Sequence, residues 1–447
     1  MEPLAERVLH TLETCLEQVV DPVPPPQHIV VAFSGGCDST VLLHLLHRIL
    51  KNKENATLRA VHINHQLQTQ ADEWASHCQH ICAEWGVEFT AINVEVDLSR
   101  GLGLEAAARE VRYQALAGNM SDKSVLLTAH NQDDQFETVL LQLMRGAGPH
   151  GLSAMDLCRE FSTGLHIRPL LGVSRSEIED YARAHELNWI EDPSNQLLHH
   201  DRNFLRHEVI PKLKSRWPSA AKAVSRSADH SRQLCAILDA SLEEKLLPQL
   251  IRADQLNLDK LSAFNEDEAI QLIRYWLMKL TGSSPSTEQL NQIAQQMLHA
   301  WEDAEPVLFC CGKELRRFQG VLYCLAPLQS FDESQPIPWD GKSDLEIAGV
   351  GTLRSLVIDD QGLSIHKIES SQKTEIRFRQ GGEQITLAGR GRHKLKKLFQ
   401  DEKIPPWERN RIPLIYIDEK LAAVVGYWVD EAFLARNREP SIHVKML

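Results

Sequence analysis

The stretch His28-Ile-Val-Val-Ala-Phe-Ser-Gly-Gly-Cys-Asp-Ser-Thr40 decides the fold of the first part of this chain. Its apolar, β-branched residues predict a strand over Ile29–Phe33, and the apolar run after the turn predicts a helix over Thr40–Leu50. The turn itself, Ser34–Ser39, contains two adjacent glycines, which leave backbone N–H groups uncovered by a Cβ. The N-terminus of the helix adds further N–H donors and positive potential. The stretch therefore predicts an anion-binding turn suited to phosphate.

The side chains of this turn suit the same chemistry, although an ordinary serine-rich turn is the alternative. Ser34 and Ser39 supply hydroxyl donors, and Asp38 can hold a hydrated metal ion. The turn differs from a Walker A loop, because no Gly-Lys-Ser/Thr follows it, and from the Gly-x-Gly-x-x-Gly pattern. It resembles the PP-loop of the ATP pyrophosphatases, which split ATP between the α and β phosphates to adenylate a substrate. The resemblance implies ATP and Mg²⁺ as cofactors, Asp38 as the metal ligand, and an ATP site formed by Ser34, Gly35, Gly36, Cys37, Asp38, Ser39, His62 and Asn64.

Length and composition predict a cytoplasmic protein of two or three domains. The chain has 447 residues and a net charge of −13, which argues against a protein wholly devoted to nucleic acid. No apolar run reaches the roughly 18 residues of a membrane span, and the first residues carry acids where a signal peptide carries positive charge. Nine cysteines without a Cys-x-x-Cys pair indicate reduced thiols.

Strand and helix patterns alternate through the first half of the chain. Strands are predicted at Ile29–Phe33, Leu58–Asn64, Glu88–Val96 and Ser124–Ala129, with helices near 40–50, 69–85, 104–117 and 132–145. Such alternation predicts a parallel sheet with helices on both faces, and ligands beyond the carboxyl ends of its strands. The segments Ser34–Ser39, His62–His65 and His130–Glu137 all fall at that edge.

The rest of the chain changes character twice. Residues 219–325 read as helical, Ala326–Lys342 reads as a proline-containing linker, and short β-like runs follow it. The predicted fold class is therefore α/β, with a Rossmann-like PP-loop N-terminal domain, a helical middle domain and a small mixed α/β C-terminal domain. The predicted boundaries are 1–216, 217–328 and 345–447.

A second polar motif, His130-Asn-Gln-Asp-Asp-Gln-Phe-Glu-Thr138, follows the fourth predicted strand and opens a helix. Asp134 and Glu137 are three residues apart and therefore share one helical face. With His130 and Asp133 they concentrate polar groups at one strand end. Acids in a first helical turn also suit the helix dipole, so a capping role alone is the alternative.

Arginines follow at helical spacing in two further segments. Arg109 is four residues from Glu105 and one turn from Arg112, which a simple surface ion pair would also explain. Arg202 and Arg206 lie on one side of a later helix, as a phosphate or nucleic-acid contact requires.

One basic stretch stands out near the C-terminus. Between Arg377 and Arg411 there are ten Lys/Arg and four Asp/Glu, so this stretch carries +6 and the remainder −19. A basic module on an acidic protein predicts a docking patch for a polyanion, with a solvated charged face as the alternative. The cations expected to form it are Arg392, Lys394, Lys396 and Lys397, while Leu395 and Leu398 are expected to face the core.

Over nearly its full length the chain resembles the bacterial tRNA(Ile)-lysidine synthetases. The resemblance is carried by the Ser34–Ser39 turn, Val61-His-Ile-Asn-His65, Glu105-x-x-x-Arg109-x-x-Arg-Tyr113, His130-x-x-Asp-Asp-x-x-Glu-Thr138, Arg145-Gly146, Asp192-Pro-Ser-Asn195, Arg202-Asn203-x-x-Arg206 and Lys394–Trp407. Asn131-Gln132 depart from the family, in which many members have a second histidine here, so the role of that position stays open.

The resemblance implies a two-step reaction on the wobble cytidine of a tRNA(Ile) with a CAU anticodon. ATP adenylates the C2 oxygen of cytosine and releases pyrophosphate; the ε-amine of L-lysine then attacks C2 and expels AMP. Asp134 and Glu137 would hold the lysine, Arg109 or Arg112 its carboxylate or the adenylate, and Asp133 the metal or the lysine. The implied tRNA contacts are Arg145, Arg202, Arg206 and the cations of the 392–397 patch. The assembly state, including a homodimer, stays open.

Three other functions compete with this reading. A thiolation-type PP-loop enzyme that modifies a tRNA base generally relies on cysteine pairs, and the chain has no Cys-x-x-Cys. A small-molecule ligase such as a relative of GMP or NAD synthetase would leave the basic stretch without a use. A non-catalytic RNA-binding protein that senses ATP is the third. Pyrophosphate release that depends on both tRNA and lysine distinguishes all three from the implied reaction.

Overall fold

The structure is a computed structural model that describes residues 2–19, 28–51, 56–66, 68–97, 104–121, 123–197, 200–299, 305–359, 362–436 and 439–446. Gly103 and the side chains of Glu105 and Asn195, which belong to the sequence motifs, lie outside the described part. The chain divides into two compact units, Met1–Asp239 (unit 1) and Ala240–Leu447 (unit 2). The predicted domain boundaries at 216, 328 and 345 stay a prediction.

Unit 1 contains a six-stranded sheet in the order β3-β2-β1-β4-β6-β5. Its strands are β1 (His28–Ala32), β2 (Thr57–Asn64), β3 (Glu88–Asn93), β4 (Val125–Leu127), β5 (Cys158–Phe161) and β6 (Gly164–Ile167). Five strands run parallel and β5 closes one edge as an antiparallel hairpin with β6. The predicted parallel sheet is confirmed. The sequence analysis missed the hairpin because each of its strands has only four residues.

Helices cover both faces of this sheet. They are α1 (Pro3–Val19), α2 (Cys37–Leu50), α3 (Ala71–Trp85), α4 (Leu104–Ala117), α5 (Gln132–Met144), α6 (Pro149–Leu152), α7 (Arg175–Ala184), α8 (Asp201–Phe204), α9 (Ile210–Arg216) and α10 (Ala220–Leu246), the last of which continues into unit 2. Alternate residues of β1 enter different buried clusters: Val31 joins Leu43 of α2, and Val30 joins Leu116 of α4. Because β1, β2 and β4 run parallel, their carboxyl ends lie along one edge of the sheet, which the helices on the two faces leave open.

The first part of unit 2 combines helices with a sheet that the sequence analysis did not predict. The helices are α11 (Leu258–Leu261), α12 (Glu266–Thr281) and α13 (Thr287–Ile293). The sheet has the order β7-β8-β11-β10-β9, with β7 (Leu250–Arg252), β8 (Gln255–Asn257), β9 (Val307–Cys310), β10 (Lys313–Phe318) and β11 (Val321–Leu325). Polar residues interrupt these strands, and positive-φ glycines 312 and 320 form the turns that join β9, β10 and β11. Charged strands of this length give a weak apolar signal, which explains the miss.

The second part of unit 2 is the small mixed α/β region that the sequence predicts. Three small antiparallel sheets have the orders β12-β16-β19-β20-β21, β13-β14-β22-β15 and β17-β18. Their strands are β12 (Ile337–Pro338), β13 (Leu345–Ile347), β14 (Gly351–Asp359), β15 (Leu363–Ser364), β16 (Thr374–Arg377), β17 (Gln384–Leu387), β18 (Gly391–Lys394), β19 (Leu414–Ile417), β20 (Lys420–Val424), β21 (Trp428–Val429) and β22 (Pro440–Met446). The helices are α14 (Ile365–Glu369), α15 (Leu395–Asp401) and α16 (Pro406–Arg409). The predicted linker Ala326–Lys342 therefore contributes a strand, β12, at its end.

Candidate active site

The turn between β1 and α2 has the backbone of an anion cradle. Gly35 has a φ of +81°, and a Cβ there would lie 2.6 Å from Ile190 Cδ1 and 2.8 Å from Cys78 Sγ. Gly36 is the N-cap of α2 and no side chain caps that helix, so its first N–H groups remain for a ligand. The hydroxyls of Ser34 and Ser39 lie 3.0 Å apart beside them. Only glycine fits position 35, which is the physical basis of the predicted motif.

The cradle opens into two adjoining clefts of unit 1. The larger, called the main lobe, has a volume of about 600 Å³ and is lined by Asp38, Arg112, His130, Asp134, Arg175 and Arg206, among others. The smaller, called the side lobe, has a volume of about 420 Å³ and is lined by His62, Asn64, His65, Gln68 and Trp74, among others. Both lobes include Ser34 and Gly36, so the cradle separates them. Their combined size suits a nucleotide together with a second substrate group.

Asp38 lies at the cradle with one carboxylate oxygen free to bind a ligand. Its Oδ1 is buried and has no hydrogen-bond partner among the described residues. Burial, and then the nearby Asp134, raise the pKa of Asp38 to about 6. No group of three or more His, Cys, Asp or Glu that could hold a metal occurs within the described part of the chain. Mg²⁺ at phosphate sites commonly uses one or two carboxylates together with phosphates and water, and the free oxygen of Asp38 fits that donor set.

The first two turns of α5 carry two acids, Asp134 and Glu137, that hold one arginine. Glu137 is 1% exposed, and its oxygens accept from Arg206 Nε at 2.6 Å and Nη2 at 2.9 Å. Asp134 Oδ1 accepts from the same Arg206 at 3.1 Å, while its Oδ2 accepts from the backbone N of Asn131 and completes a capping box. Arg202 Nε lies 3.2 Å from Glu137 Oε2. The capping role and the inward-facing acids therefore coexist, and burial raises the pKa of Glu137 despite the arginines.

Asp133 faces away from these acids. Its carboxylate binds Lys214 Nζ of α9 and accepts from the backbone N of Arg175 at 3.0 Å. It is absent from the residues that line the main lobe. These contacts fasten α9 and the start of α7 to α5.

At the end of β2, His62 and Asn64 are held in fixed orientations. His62 Nδ1 lies 2.9 Å from the carbonyl oxygen of Phe33, so Nδ1 carries the proton and Nε2 is left as an acceptor. Burial lowers the pKa of His62, which keeps the ring neutral. Asn64 accepts from the backbone N of Gln66 at 2.9 Å and donates to Asp72 at 3.0 Å.

A chain of hydrogen bonds runs from His130 in the main lobe, past the end of β4 and across β6, to Arg159 on β5. Arg159 Nε donates to His166 Nδ1 at 3.4 Å, His166 Nε2 lies 2.8 Å from Thr128 Oγ1, and that hydroxyl lies 2.8 Å from His130 Nδ1. Because an arginine only donates, His166 accepts at Nδ1 and donates from Nε2 to Thr128 Oγ1, whose own hydroxyl proton is then available for His130 Nδ1. Burial and then Arg168 lower the pKa of His166 to about 2, and the same two causes set the pKa of His130 well below its usual range.

Three family models match the chain, and together they span both units. A PP-loop domain matches residues 8–213, a TilS substrate binding domain matches 256–323, and a TilS substrate C-terminal domain matches 374–446. Proteins named tRNA(Ile)-lysidine synthase from Coxiella burnetii and Serratia proteamaculans are each 41% identical to it. The alignments cover 92% and 91% of this chain and 91% and 92% of the relatives. The chain belongs to the tRNA(Ile)-lysidine synthase family.

Membership of the tRNA(Ile)-lysidine synthase family confirms the resemblance and the fold class inferred from the motifs. A relative from Legionella pneumophila strain Paris is also 41% identical, over 92% of this chain and 93% of its own. A solved U34-tRNA thiolase from Methanococcus maripaludis, 18% identical, aligns with a TM-score of 0.42 over 51% of this chain and 76% of its own. No described helix has both the length and the apolar character of a membrane span.

For this member of the tRNA(Ile)-lysidine synthase family, the structure brings most predicted site residues to one edge of the unit 1 sheet. The cradle, Arg112 and the two acids of α5 line or adjoin the lobes. Arg109 is exposed beside them and Arg145 ends α5 on the surface. In unit 2, the four cations of the 392–397 patch divide between β18 and α15: Arg392, Lys394, Lys396 and Lys397 are all exposed, while Leu395 and Leu398 are buried as predicted.

Several residues of the site escaped the sequence analysis. Arg175 and Glu179 of α7 line the main lobe, and Lys214 of α9 holds Asp133. Arg159 and His166 lie on the unpredicted hairpin. The only local signal for α7 is the capping box that Ser174 forms with Glu177, which predicts a helix start but no site.

Proposed function

We propose that this protein ligates L-lysine to the wobble cytidine of a tRNA(Ile) with a CAU anticodon, after ATP has adenylated that base. The observation that carries the proposal is one cleft that is lined by the phosphate cradle, by Asp134 and by Arg206, with the buried acid Glu137 bound to that same arginine, in a chain of this family. The first step, which releases pyrophosphate, needs the phosphate cradle. The second step, in which lysine displaces AMP, needs the acids.

In the first step the cradle binds the departing phosphates of ATP. The N–H groups at the start of α2 and the hydroxyls of Ser34 and Ser39 face negative charge that grows as the α–β bond breaks. Asp38 would hold Mg²⁺, which supplies further neutralisation of that charge. The side lobe suits the adenine, because neutral His62 offers an Nε2 acceptor to an exocyclic amino group. The cytosine C2 oxygen forms the new bond to the α-phosphorus as pyrophosphate leaves.

In the second step Asp134 and Glu137 hold the lysine. Both acids bind Arg206 in this structure, so the ammonium group of lysine replaces this guanidinium or shares the acids with it. The attacking amine must be neutral, whereas its ordinary pKa is about 10.4. We assign removal of this proton to Glu137, because it is one of the two acids that hold the lysine and burial raises the pKa of its carboxyl. The neutral amine then bonds to C2, and AMP leaves with the former C2 oxygen.

The remaining parts of the chain serve the tRNA. Residues 1–216 form the catalytic domain, 217–328 a tRNA-contacting domain and 345–447 a basic domain that binds the tRNA body. Arg145, Arg202 and Arg206 provide contacts near the cleft, and the exposed cations of the 392–397 patch bind backbone phosphates. The protein acts in the cytoplasm, and a homodimer is one assembly compatible with this role.

Steady-state pyrophosphate release tests the proposed function. It is measured with ATP alone, with tRNA added, with lysine added, and with both. We expect continuous release only when tRNA and lysine are both present, because the adenylated tRNA accumulates without the amine. Continuous release without tRNA would indicate a small-molecule ligase. Release that requires tRNA and a sulfur donor would indicate a thiolase.

The acids of α5 provide a sharper test of the lysine site. Asp134→Asn or Glu137→Gln should raise the KM for lysine about ten- to a hundredfold, since each removes one charge-assisted hydrogen bond. Single-turnover adenylation of the tRNA should change less, because the cradle is untouched. Asp180→Asn, an exposed acid elsewhere on unit 1, is the matched control. Failure of adenylation first, with unchanged lysine dependence, would assign these acids to the ATP or metal site.

A further inference from the structure

Four arginines of unit 1, of which Arg112 lines the main lobe, have no carboxylate partner among the described residues. Arg109, Arg112, Arg159 and Arg168 form no ion pair with any carboxylate of the described residues, although Arg7, Arg183, Arg206 and Arg232 of the same unit each pair with Asp or Glu. Arg168 donates to a backbone carbonyl, that of Asp156. The four arginines, with Tyr113, Thr128, His130 and His166, are called the arginine layer.

Burial makes this surplus of positive charge costly. Arg168 is 2% exposed and its Nε has no hydrogen-bond partner among the described residues. Arg112 is half-buried and lines the main lobe. His130 and His166 add no further positive charge, because their lowered pKa values keep both rings neutral. A buried cation such as Arg168 without a carboxylate partner is unfavourable, and an anion bound at the layer would offset its charge.

The outer end of the layer is shaped for a nucleic acid strand. The guanidinium carbons of Arg109 and Arg159 lie 5.1 and 5.7 Å from the ring centre of Tyr113, and Phe161 meets that ring edge-on at 5.7 Å. Arg159 is exposed on β5, with only its Nε engaged, by His166. Aromatic rings beside arginines are typical of surfaces that bind unstacked RNA.

We propose that the arginine layer binds the sugar–phosphate backbone next to the base that enters the main lobe, with Arg159 contacting a phosphodiester. The layer begins at Arg112, Thr128 and His130 in the lobe and ends at Arg159 on the surface, so a strand whose base enters the lobe passes along it. Neither Arg109 nor Arg159 lines a lobe, which places both beyond the phosphates of ATP in the cradle. This inference rests on the proposed function, because that function supplies the RNA.

The test compares binding of a labelled anticodon stem-loop to the full-length protein over a range of salt. Arg159→Gln should weaken binding about five- to tenfold and lower the salt slope by about one, the expected effect of one lost phosphate contact. Arg159→Lys should keep most of the slope, because it keeps the charge. Arg7→Gln removes an equally exposed arginine that pairs with Glu177 and should change neither quantity.

The outcomes separate the inference from the proposed function. Wild-type protein that binds neither the stem-loop nor the whole tRNA contradicts the proposed function; if it binds only the whole tRNA, the same variants are compared on the whole tRNA. Wild-type binding with an unchanged Arg159→Gln variant overturns this inference alone. A variant that binds the stem-loop normally but ATP more weakly also overturns it and assigns the layer to nucleotide phosphates. Arg109→Gln, at the same Tyr113 ring, provides a second variant if Arg159→Gln does not fold.

Discussion

The carboxyl groups of the unit 1 cleft and most of the carboxyl groups with shifted pKa values in unit 2 are shifted in opposite directions. In unit 1, burial is the main cause that raises the pKa of Asp38 to about 6 and lowers that of His44 to about 4. In unit 2, a hydrogen bond from Ser343, followed by backbone amides, lowers the pKa of Asp340 to about 2. Burial opposes the shift at Glu375, but hydrogen bonds from Lys373 and Arg377 outweigh it and lower its pKa. Glu408 of unit 2 is an exception, since burial raises its pKa.

This contrast shows where the molecule accepts unfavourable electrostatic interactions. A catalytic cleft needs charges held away from water, and a group held there without a full set of partners resists ionisation. A docking surface needs charges that stay hydrated until the polyanion arrives. Unit 1 has the first arrangement at Asp38 and Glu137, and unit 2 has the second at its exposed patch.

The largest effect should come from neutralising the buried carboxylate of Asp38 at the cradle. Asp38→Asn should lower tRNA-dependent pyrophosphate release at least about a thousandfold, because the metal ligand and its charge are lost. The melting temperature should be unchanged or higher, since the substitution removes a negative charge that burial disfavours. Asp180→Asn is again the control. Near-normal turnover in Asp38→Asn would refute the assignment of this turn as a PP-loop.

The next effect tests the hydrated charges of unit 2. Neutralising Lys394, Lys396 and Lys397 should flatten the salt dependence of tRNA binding by up to about three units in slope. Whole tRNA should lose more activity than an anticodon stem-loop, which lacks the distant body. Equal losses on both substrates would place the patch at the anticodon or make it structural. An unchanged slope would mean that these lysines are a solvated face.

A smaller effect is expected in the pH dependence of the stability of unit 1. Burial, then His185 and Arg48, hold the pKa of His44 at about 4, against about 6.5 for an ordinary histidine. As the pH falls from about 6.5 to 4, the unfolded chain binds a proton at this residue before the folded chain does. The folded state therefore loses stability on the order of 2 kcal/mol across this range, and keeps it in full at higher pH. His44→Gln should remove part of this acid lability. Hydrogen exchange of α2 amides measures it, with exposed His443→Gln as control, and an identical pH dependence in wild type and His44→Gln would contradict the prediction.

The smallest effect tests whether Asp133 stabilises the fold or takes part in catalysis. Asp133→Asn should lower the melting temperature by about 2–4 °C, because the contacts to Lys214 and the Arg175 amide are weakened. The kcat/KM for lysine should stay within about threefold of the wild-type value. A large loss of activity at unchanged stability would instead return Asp133 to the cleft as a metal or lysine ligand.

Local patterns predicted much of the fold and the outline of the site. Apolar runs and their spacing predicted strands β1–β4 of the six in unit 1 and most of its helices, because such patterns depend on neighbours in the chain. The β5–β6 hairpin and the sheet β7–β11 were missed, because short strands with polar residues are stabilised by pairing with distant segments. The site roles assigned to individual residues stay predictions.

The phosphate cradle follows from local sequence, since Gly35, Gly36 and the flanking serines belong to a single turn, and the amino-acid sequence was enough to predict it. The sequence also determined the family, through motifs that extend over nearly the whole chain. Three contacts arise only through folding: Arg206 turns inward onto Glu137, 69 positions away, Lys214 binds Asp133, and Arg159 is linked to His130 through His166 and Thr128. A charged side chain takes the partner that folding brings near it, whereas helical spacing specifies only the neighbours on its own element.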